Sequence, residues 1–438
     1  GNYIDPKISY DAATGITTIS AVGIASTRWS KVDRRYRLQL DKAVGGLNFD
    51  PDRARTAWSA IPVVLPGPGS VIYRTIVRLP DGGEGYTLDG DRDLSATLGG
   101  ARIKRAMSLS GDTVTLEDRI DQIGGEMAAA DLPAARAALS QAKNRLVTVV
   151  APASVAGMPY YEAKRRAGLQ KPADAMFTRV MAADPKVTDP YEWRARFRAA
   201  AVDRAGAVAD YTSAIAIEPS IDLYLARARL NATLGQDAKQ LADIEAARKL
   251  DPDSDDAIGA LADYKANHNQ AEAAIALLDA RIARAGSKDR VDWLANKANA
   301  QAEAGQKDAA LATIDAALAE KPGSPNLLNT CCWLRGVGNQ VLDGALKDCT
   351  KSIELSDSTT AALDSRAMVY YRLGRFDDAL ADLNAALDAS PDLAASRYMR
   401  GVVLYRAGKK VDGDRELARA RLLNPQIDKE YARWGINP

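Results

Sequence analysis

The feature that most constrains this chain is a repeat of 33 to 36 residues, which runs from about residue 154 to residue 425. Proline marks six of the eight unit ends, and Gly286 and Asp357 stand at the other two. The six prolines are Pro185, Pro219, Pro252, Pro322, Pro391 and Pro425. A unit of this length cannot bury its apolar surface alone, so neighbouring units must stack. The repeat therefore predicts an all-α superhelix, an α-solenoid of about eight helix pairs.

Three further positions recur at fixed distances before the unit ends, and each set of equivalent residues is called a column. Seventeen residues before an end stands a residue type that tolerates left-handed backbone: Gly168, Gly235, Asn269, Gly305, Gly374 and Gly408. Twelve before it the residue is mostly small, as at Ala207 and Ala379, and eight before it the residue is always apolar, as at Ile244 and Leu383. These columns predict the turn between paired helices, their close approach and the inward face of the second helix.

The clearest unit spans residues 359 to 391, where Ala367, Tyr370, Gly374, Ala379, Leu383, Ala386 and Pro391 follow one another at the family spacing. This pattern resembles the tetratricopeptide repeat. The second unit departs from it with Val202 in the glycine position, and the unit with Cys331 and Cys332 has one or two extra residues. The resemblance implies a concave groove lined by the first helix of each pair, in which a peptide or a partner domain is held.

The resemblance also implies which residues face that groove: Arg229, Asn299, Trp333, Met368, Tyr371, Arg372, Tyr398, Tyr405 and Arg406. Two tyrosine-arginine pairs recur one repeat apart in this set, and such residues often dominate binding energy at interfaces. The alternative is that the pairs cover helix ends or the contact between repeats. Ala295 stands where carboxylate-binding family members have a lysine, so gripping of a C-terminal carboxylate is not expected.

The remainder of the chain has a different texture. Residues 1–128 contain short β-rich runs punctuated by glycine and proline, which predicts an antiparallel β-sandwich-like domain. Residues 129–153 are predicted to form a linking helix. Residues 426–438 are predicted to form a C-terminal capping helix, with Tyr431 and Trp434 over the last repeat. The expected fold class is therefore α+β multidomain.

Composition argues against most catalytic chemistry. The chain has one histidine, His268, and three cysteines. Triads and histidine-rich zinc sites need a placed imidazole, so the sequence predicts no enzyme, no metal site and no cofactor. A formal net charge of +1 argues against a nucleic-acid partner, and no apolar run is long enough to span a bilayer. A protein or peptide partner is expected, and the oligomeric state stays open.

The cysteines allow two interpretations. They are most simply small buried residues on helices. The alternative is a bridge between Cys332 and Cys349, which matters only in an oxidising compartment.

A second resemblance concerns the order of the domains along the chain, a β-domain followed by a repeat array. The segments YDAATGITTISAVGIAS, IGGEMAAADLPAARAAL and KEYARWGINP resemble the C-terminal part of bacterial transglutaminase-like envelope proteins. This resemblance implies a periplasmic or envelope location, with the cytoplasm as the alternative. It also implies an alternative function, recruitment of substrate for a transglutaminase-like or papain-like catalytic domain encoded upstream.

Overall fold

The computed structural model describes residues 2–24, 29–32, 35–53, 55–152, 162–163, 165–168 and 171–438. Its contacts divide the chain into two compact units. The sheet unit is Ser26–Val155, and the helical unit joins Gly1–Ala25 to Ala156–Pro438. The first hairpin, β1 (Asn2–Asp11) with β2 (Ile16–Ile24), therefore groups with helices, although the sequence assigned residues 1–128 to a single domain. The predicted domain limits stay a prediction.

The sheet unit contains two four-stranded antiparallel sheets. Its strands are β3 Trp29–Val32, β4 Arg35–Gln39, β5 Val63–Val64, β6 Gly69–Arg78, β7 Thr87–Asp89, β8 Asp93–Leu98, β9 Ala101–Ser110, β10 Thr113–Gln122, β11 Glu126–Met127 and β12 Thr148–Val150. The sheet orders are β6-β10-β9-β8 and β3-β4-β12-β7. Leu38, Met107, Leu116 and Val149, two from each sheet, share one buried core. The antiparallel sandwich-like fold expected for this part of the chain is confirmed.

The segment 129–153, predicted as a linking helix, completes the sheet unit instead. Helix α1 (Leu132–Lys143) buries Leu139 in a cluster with Leu98 and Ile103 of the sheet. Strand β12 then pairs with both β4 and β7. The apolar run at residues 147–151 is largely covered, which is why it forms a central strand and not a linker.

A charged side chain lies in the middle of the core face of β9. Arg105 is flanked there by Ile103 and Met107, and its guanidinium bonds Asp118 at 2.6 Å and Asp41 at 2.7 Å. All three charged groups are almost completely buried. Desolvation acts to lower the pKa of Arg105, but the bonds from both carboxylates raise it above its usual value. The arginine is therefore held charged as the centre of a buried ion triad.

The helical unit is a succession of antiparallel helix pairs. Its helices are α2 Lys171–Ala183, α3 Asp189–Ala200, α4 Arg204–Ile217, α5 Ile221–Thr233, α6 Asp237–Leu250, α7 Asp255–Asn267, α8 Ala271–Ile282, α9 Ser287–Glu303, α10 Lys307–Glu320, α11 Pro325–Gly338, α12 Leu342–Leu355, α13 Thr360–Arg372, α14 Phe376–Ala389, α15 Ala394–Arg406, α16 Lys410–Leu423 and α17 Ile427–Ala432. Helices α3 to α16 form seven pairs. The first helix of the first predicted unit lies largely outside the described residues.

Backbone angles and burial confirm the repeat columns. Gly235, Gly305, Gly374 and Gly408 all have positive φ, between 67° and 78°, where each first helix turns into its partner. Asn269 occupies the same position with φ 58°. The apolar column is buried in every repeat: Phe177, Tyr211, Ile244, Leu278, Ile314, Cys349, Leu383 and Leu417.

A column of acidic residues, not predicted from the sequence, stands one residue before the apolar column. Its members are Asp210, Asp243, Asp348, Asp382 and Glu416. Four of them pair with an arginine sixteen residues earlier on the first helix: Arg194–Asp210 and Arg227–Asp243 at 2.6 Å, Arg366–Asp382 at 2.7 Å and Arg400–Glu416 at 2.8 Å. These largely buried bonds fix the two helices of a repeat against each other.

The cysteines lie on one helix pair. A disulfide joins Cys332 of α11 to Cys349 of α12, with their Cα atoms 5.4 Å apart. Cys331 is free and buried, and desolvation raises the pKa of its thiol to about 12. The structure therefore contains the bridge that the sequence analysis held as the alternative.

Candidate protein-binding groove

The structure sorts the nine predicted groove residues by exposure. Arg229, Asn299 and Arg406 are exposed, whereas Trp333, Tyr371, Arg372 and Tyr405 are partly buried. Met368 and Tyr398 have no exposed surface at all. Only the exposed and the partly buried residues have surface that a partner could contact.

Met368 and Tyr398 are therefore corrections, since both belong to the apolar core. They lie in one buried cluster with Tyr431 and Ile436 of the C-terminal residues. The rings of Tyr398 and Tyr431 are 4.7 Å apart. The residues after α16 cover these positions, which would line the groove in an uncovered repeat.

We call residues 425–438 the C-terminal segment. It is held by the arginines of the two tyrosine-arginine pairs. Arg372 donates to the carbonyl oxygen of Trp434 at 2.7 Å, and Arg406 to that of Asn437 at 3.4 Å. Desolvation lowers the pKa of Arg372, as expected for a guanidinium covered by neighbouring chain.

The tyrosines of the two pairs are also engaged within their repeats. The hydroxyl of Tyr405 donates to Asp414 at 2.6 Å, and the ring of Tyr371 lies 6.3 Å from that of Phe376. The structure thus supports the alternative that both pairs serve intramolecular contacts.

The C-terminal segment reaches helices far earlier in the chain. Trp434 packs against two apolar clusters, one built around α7 to α11 and one around α13 to α16. Arg433 donates to Asn267 of α7 at 2.6 Å and to Glu303 of α9 at 3.0 Å. Residues that the sequence assigned to a cap thus also occupy part of the groove.

The last helix pair of the array also meets one of its first helices. Arg204, the first residue of α4, donates to the carbonyl oxygens of Leu422 and Leu423 at 2.5 and 2.8 Å. Desolvation lowers the pKa of Arg204.

Two cavities remain open beside the C-terminal segment. The first, of about 500 Å³, lies over α5 to α9 and is lined by Arg229, Gly259, Asp263 and Asp292, among others. The second, of about 730 Å³, lies between α6 to α9 and the C-terminal segment, and Asp263 and Glu303 line it. Trp333 lines the second cavity together with Trp434, whereas Asn299 lines a smaller one of about 280 Å³. The accessible part of the groove is therefore its middle, not the C-terminal end favoured by the sequence.

The residues that could support catalysis are dispersed. The ring of His268 stacks on Tyr264 at 4.0 Å, and its Nε2 lies 3.3 Å from Asp237. The cysteines lie further along the chain, on α11 and α12. Among the described residues no cluster of histidine, cysteine, aspartate and glutamate has a geometry suited to a metal ion. The prediction that the chain is not an enzyme stays a prediction.

Comparison with known proteins identifies the repeat. Residues 368–408 match the family model described as TPR repeat, the tetratricopeptide repeat. The helical unit that contains these residues is a solenoid of helix pairs, the fold expected of this repeat. Proteins with this repeat generally mediate protein-protein interactions. None of the helices that the structure describes is both long and apolar enough to cross a membrane.

Several solved structures are similar to part of this chain at low identity. Yeast Tom70 is 16% identical, with a TM-score of 0.46 over 60% of this chain and 58% of that chain. A thermophilic TPR protein of Thermus thermophilus is 19% identical, with a TM-score of 0.36 over 42% and 99%. The type IV pilus biogenesis factor PilW is 20% identical, with a TM-score of 0.35 over 46% and 92%. The chain thus spans less than two thirds of Tom70.

No curated protein matches the sequence. The resemblance to transglutaminase-like envelope proteins receives no support from the matching family or structures. It stays an expectation.

Proposed function

We propose that the helical unit is a non-catalytic scaffold that binds a partner protein or peptide in the middle of its groove, over α5 to α9. The observation that carries this proposal is the open cavity of about 500 Å³ lined by Arg229 and several carboxylates. The family match supports it, because repeats of this kind serve as interaction surfaces. The C-terminal segment occupies the C-terminal part of the groove, so a partner would find accessible surface only in the middle of the groove.

Gly259 gives a direct way to block this cavity. It lies on α7 with ordinary helical backbone, and a Cβ atom added there would meet no atom within 4 Å. The larger side chain of Gly259→Trp would start in this open space and project from a residue that lines the cavity, so it should obstruct the cavity. Replacing a glycine inside a helix also favours folding, by about 0.5 kcal/mol.

The test is site-specific photo-crosslinking in the native host. A photoreactive amino acid at Ala260, which lines the cavity, should capture a defined partner. Gly259→Trp should reduce that capture about tenfold, as expected for loss of the central contacts. Gly323→Trp is the matched control, because this exposed turn glycine also has open space around it and lies outside the cavity. Equal capture by both tryptophan variants would refute binding at this site.

We further propose that the chain works in an oxidising compartment of a bacterial envelope. The Cys332–Cys349 disulfide supports this location, since such bonds rarely persist in a reducing cytoplasm. Protein isolated from its host under thiol-blocking conditions should then show, after denaturation, one free thiol at Cys331. Three blockable thiols would place the chain in a reducing compartment and reject the proposal.

A further inference from the structure

One stretch of the groove carries carboxylates from two neighbouring first helices. Asp256 and Asp263 of α7 are seven residues apart, and Asp292 and Glu303 of α9 are eleven apart. Because a helix has 3.6 residues per turn, each pair shares one helix face. Asp256, Asp263 and Asp292 line the first cavity, and Glu303 joins Asp263 in the second. We call these four residues the acidic wall.

The charges of the acidic wall are largely unbalanced. The carboxylates of Asp256, Asp263 and Asp292 make no hydrogen bond or ion pair with any other residue that the structure describes. By contrast, the acidic residues that precede the apolar column, such as Asp210 and Asp243, are bonded to arginine. Desolvation raises the pKa of Asp263, and no cation among the described residues counteracts it. A cation brought into the groove would therefore gain attraction from carboxylates that have no partner of their own.

A second, independent observation points to the ligand. The acidic wall already holds one arginine of the C-terminal segment, since Arg433, the residue after α17, bonds Glu303 at 3.0 Å and Asn267 at 2.6 Å. The contact is partly exposed, with 38% of the Arg433 side chain and 22% of the Glu303 side chain accessible. Desolvation raises the pKa of Glu303, and the charge of Arg433 acts to lower it.

We infer that the partner presents a basic, arginine-containing segment, whose guanidinium groups bind Asp256, Asp263 and Asp292 as Arg433 binds Glu303. This inference rests on the proposed function and names the chemical class of its partner. Arginine suits the wall better than lysine, because a planar guanidinium can donate to two carboxylates at once.

The surroundings also restrict the partner. Neighbouring packed helices lie about 10 Å apart, a span covered by about three residues of extended chain. In the polyproline II conformation, which has three residues per turn and rises about 3.1 Å per residue, two arginines separated by two residues lie on one face, about 9 Å apart. Such a pair would reach Asp263 on α7 and Asp292 on α9 together. Arg229 of α5 lines the same cavity and would repel a third cation placed beyond α7.

The experiment uses three fluorescein-labelled glycine-serine decapeptides and the full chain. The first carries two arginines separated by two residues, the second carries citrullines in their place, and the third carries glutamates. Citrulline keeps the shape of arginine and removes its charge. Fluorescence anisotropy should show binding of the arginine peptide, at least about tenfold weaker binding of the citrulline peptide and none of the glutamate peptide.

Two double variants separate the acidic wall from general electrostatic attraction. Asp263→Asn with Asp292→Asn should weaken binding of the arginine peptide about tenfold or more. Asp343→Asn with Asp377→Asn changes the net charge equally, and both residues are exposed on second helices, away from the cavities. This control pair should leave the affinity within about twofold. Equal losses in both double variants, or equal binding of arginine and citrulline peptides, would overturn the inference.

The two proposals fail separately. If the arginine peptide does not bind while Gly259→Trp still abolishes partner capture, the groove binds a partner of different chemistry and only this inference is wrong. If Gly259→Trp leaves capture unchanged, the proposed function fails first.

Discussion

At the scale of single residues, the second repeat shows how a departure from the family pattern strains the backbone. Val202 occupies the position held by glycine or asparagine in most repeats, and its φ is 63°. A β-branched side chain in left-handed backbone clashes with its own main chain, so the position is strained. The turn is closed by backbone bonds from Val202 to Ala199 at 3.0 Å and from Asp203 to Arg198 at 2.8 Å.

Val202→Gly should therefore raise the free energy of unfolding by about 1 kcal/mol, because it removes the strain without changing the turn. Urea unfolding measures the change. Gly374→Val is the matched reverse substitution, since Gly374 has φ 72° and open space around its Cα. It should destabilise by a similar amount. No gain from Val202→Gly would mean that the valine side chain contributes packing that offsets its strain.

A second residue, Asp364 of α13, couples stability to pH. Desolvation raises its pKa from 3.8 to about 6, while the hydroxyl of Ser396, which donates to its carboxylate, acts to lower it. An acid whose pKa is raised on folding binds more protons in the folded state. Its contribution to stability is therefore complete below the unfolded pKa and is lost as pH rises through the folded value.

The expected result is a loss of about 2 kcal/mol in the free energy of unfolding between about pH 4 and about pH 6 that is absent from Asp364→Asn. Chemical unfolding of both proteins across this range measures it. The difference between the two curves isolates Asp364 from all other titrating groups. Parallel curves would show that Asp364 has an ordinary pKa.

At the scale of elements, the helix pair is the unit that the sequence describes best. The small column brings paired helices close together, and Ala379 is completely buried where α14 meets α13. The glycine, small and apolar columns were visible because each has a fixed spacing and one kind of residue. The ion-pair column has a fixed spacing too, but an acid on a helix is usually solvated, so its burial could not be expected.

Ala379→Leu should destabilise by about 1 to 3 kcal/mol, because three more carbon atoms must enter a closed contact between helices. Thermal unfolding, read as a fall in Tm, measures the effect. Ala385→Leu adds the same atoms on the exposed face of the same helix and should leave Tm nearly unchanged. A Tm that does not fall for Ala379→Leu would show that α13 and α14 can separate without cost.

At the scale of the whole molecule, the repeat array was predictable and the occupation of its groove was not. The repeat positions follow from local periodicity, so Arg229 and Asn299 are exposed as expected. Met368 occupies the position equivalent to Arg229 and Asn299, and Tyr398 lies one helical turn earlier in its own repeat. Both are buried in one cluster with residues of the C-terminal segment, which are distant from Met368 in sequence. Tyr431 packs on Tyr398 of the last repeat, whereas Trp434 extends to the apolar cluster built around α7 to α11. Such long-range contacts leave no periodic trace.

The bonds from Arg204 to Leu422 and Leu423 have a consequence for how the array comes apart. An open row of repeats interacts only with nearest neighbours, so its terminal units can fray while the middle stays folded. Here fraying of the last unit would break contacts of the second, and loosening of the second would release the last. The second and the last units should therefore lose their amide protection in a single cooperative step.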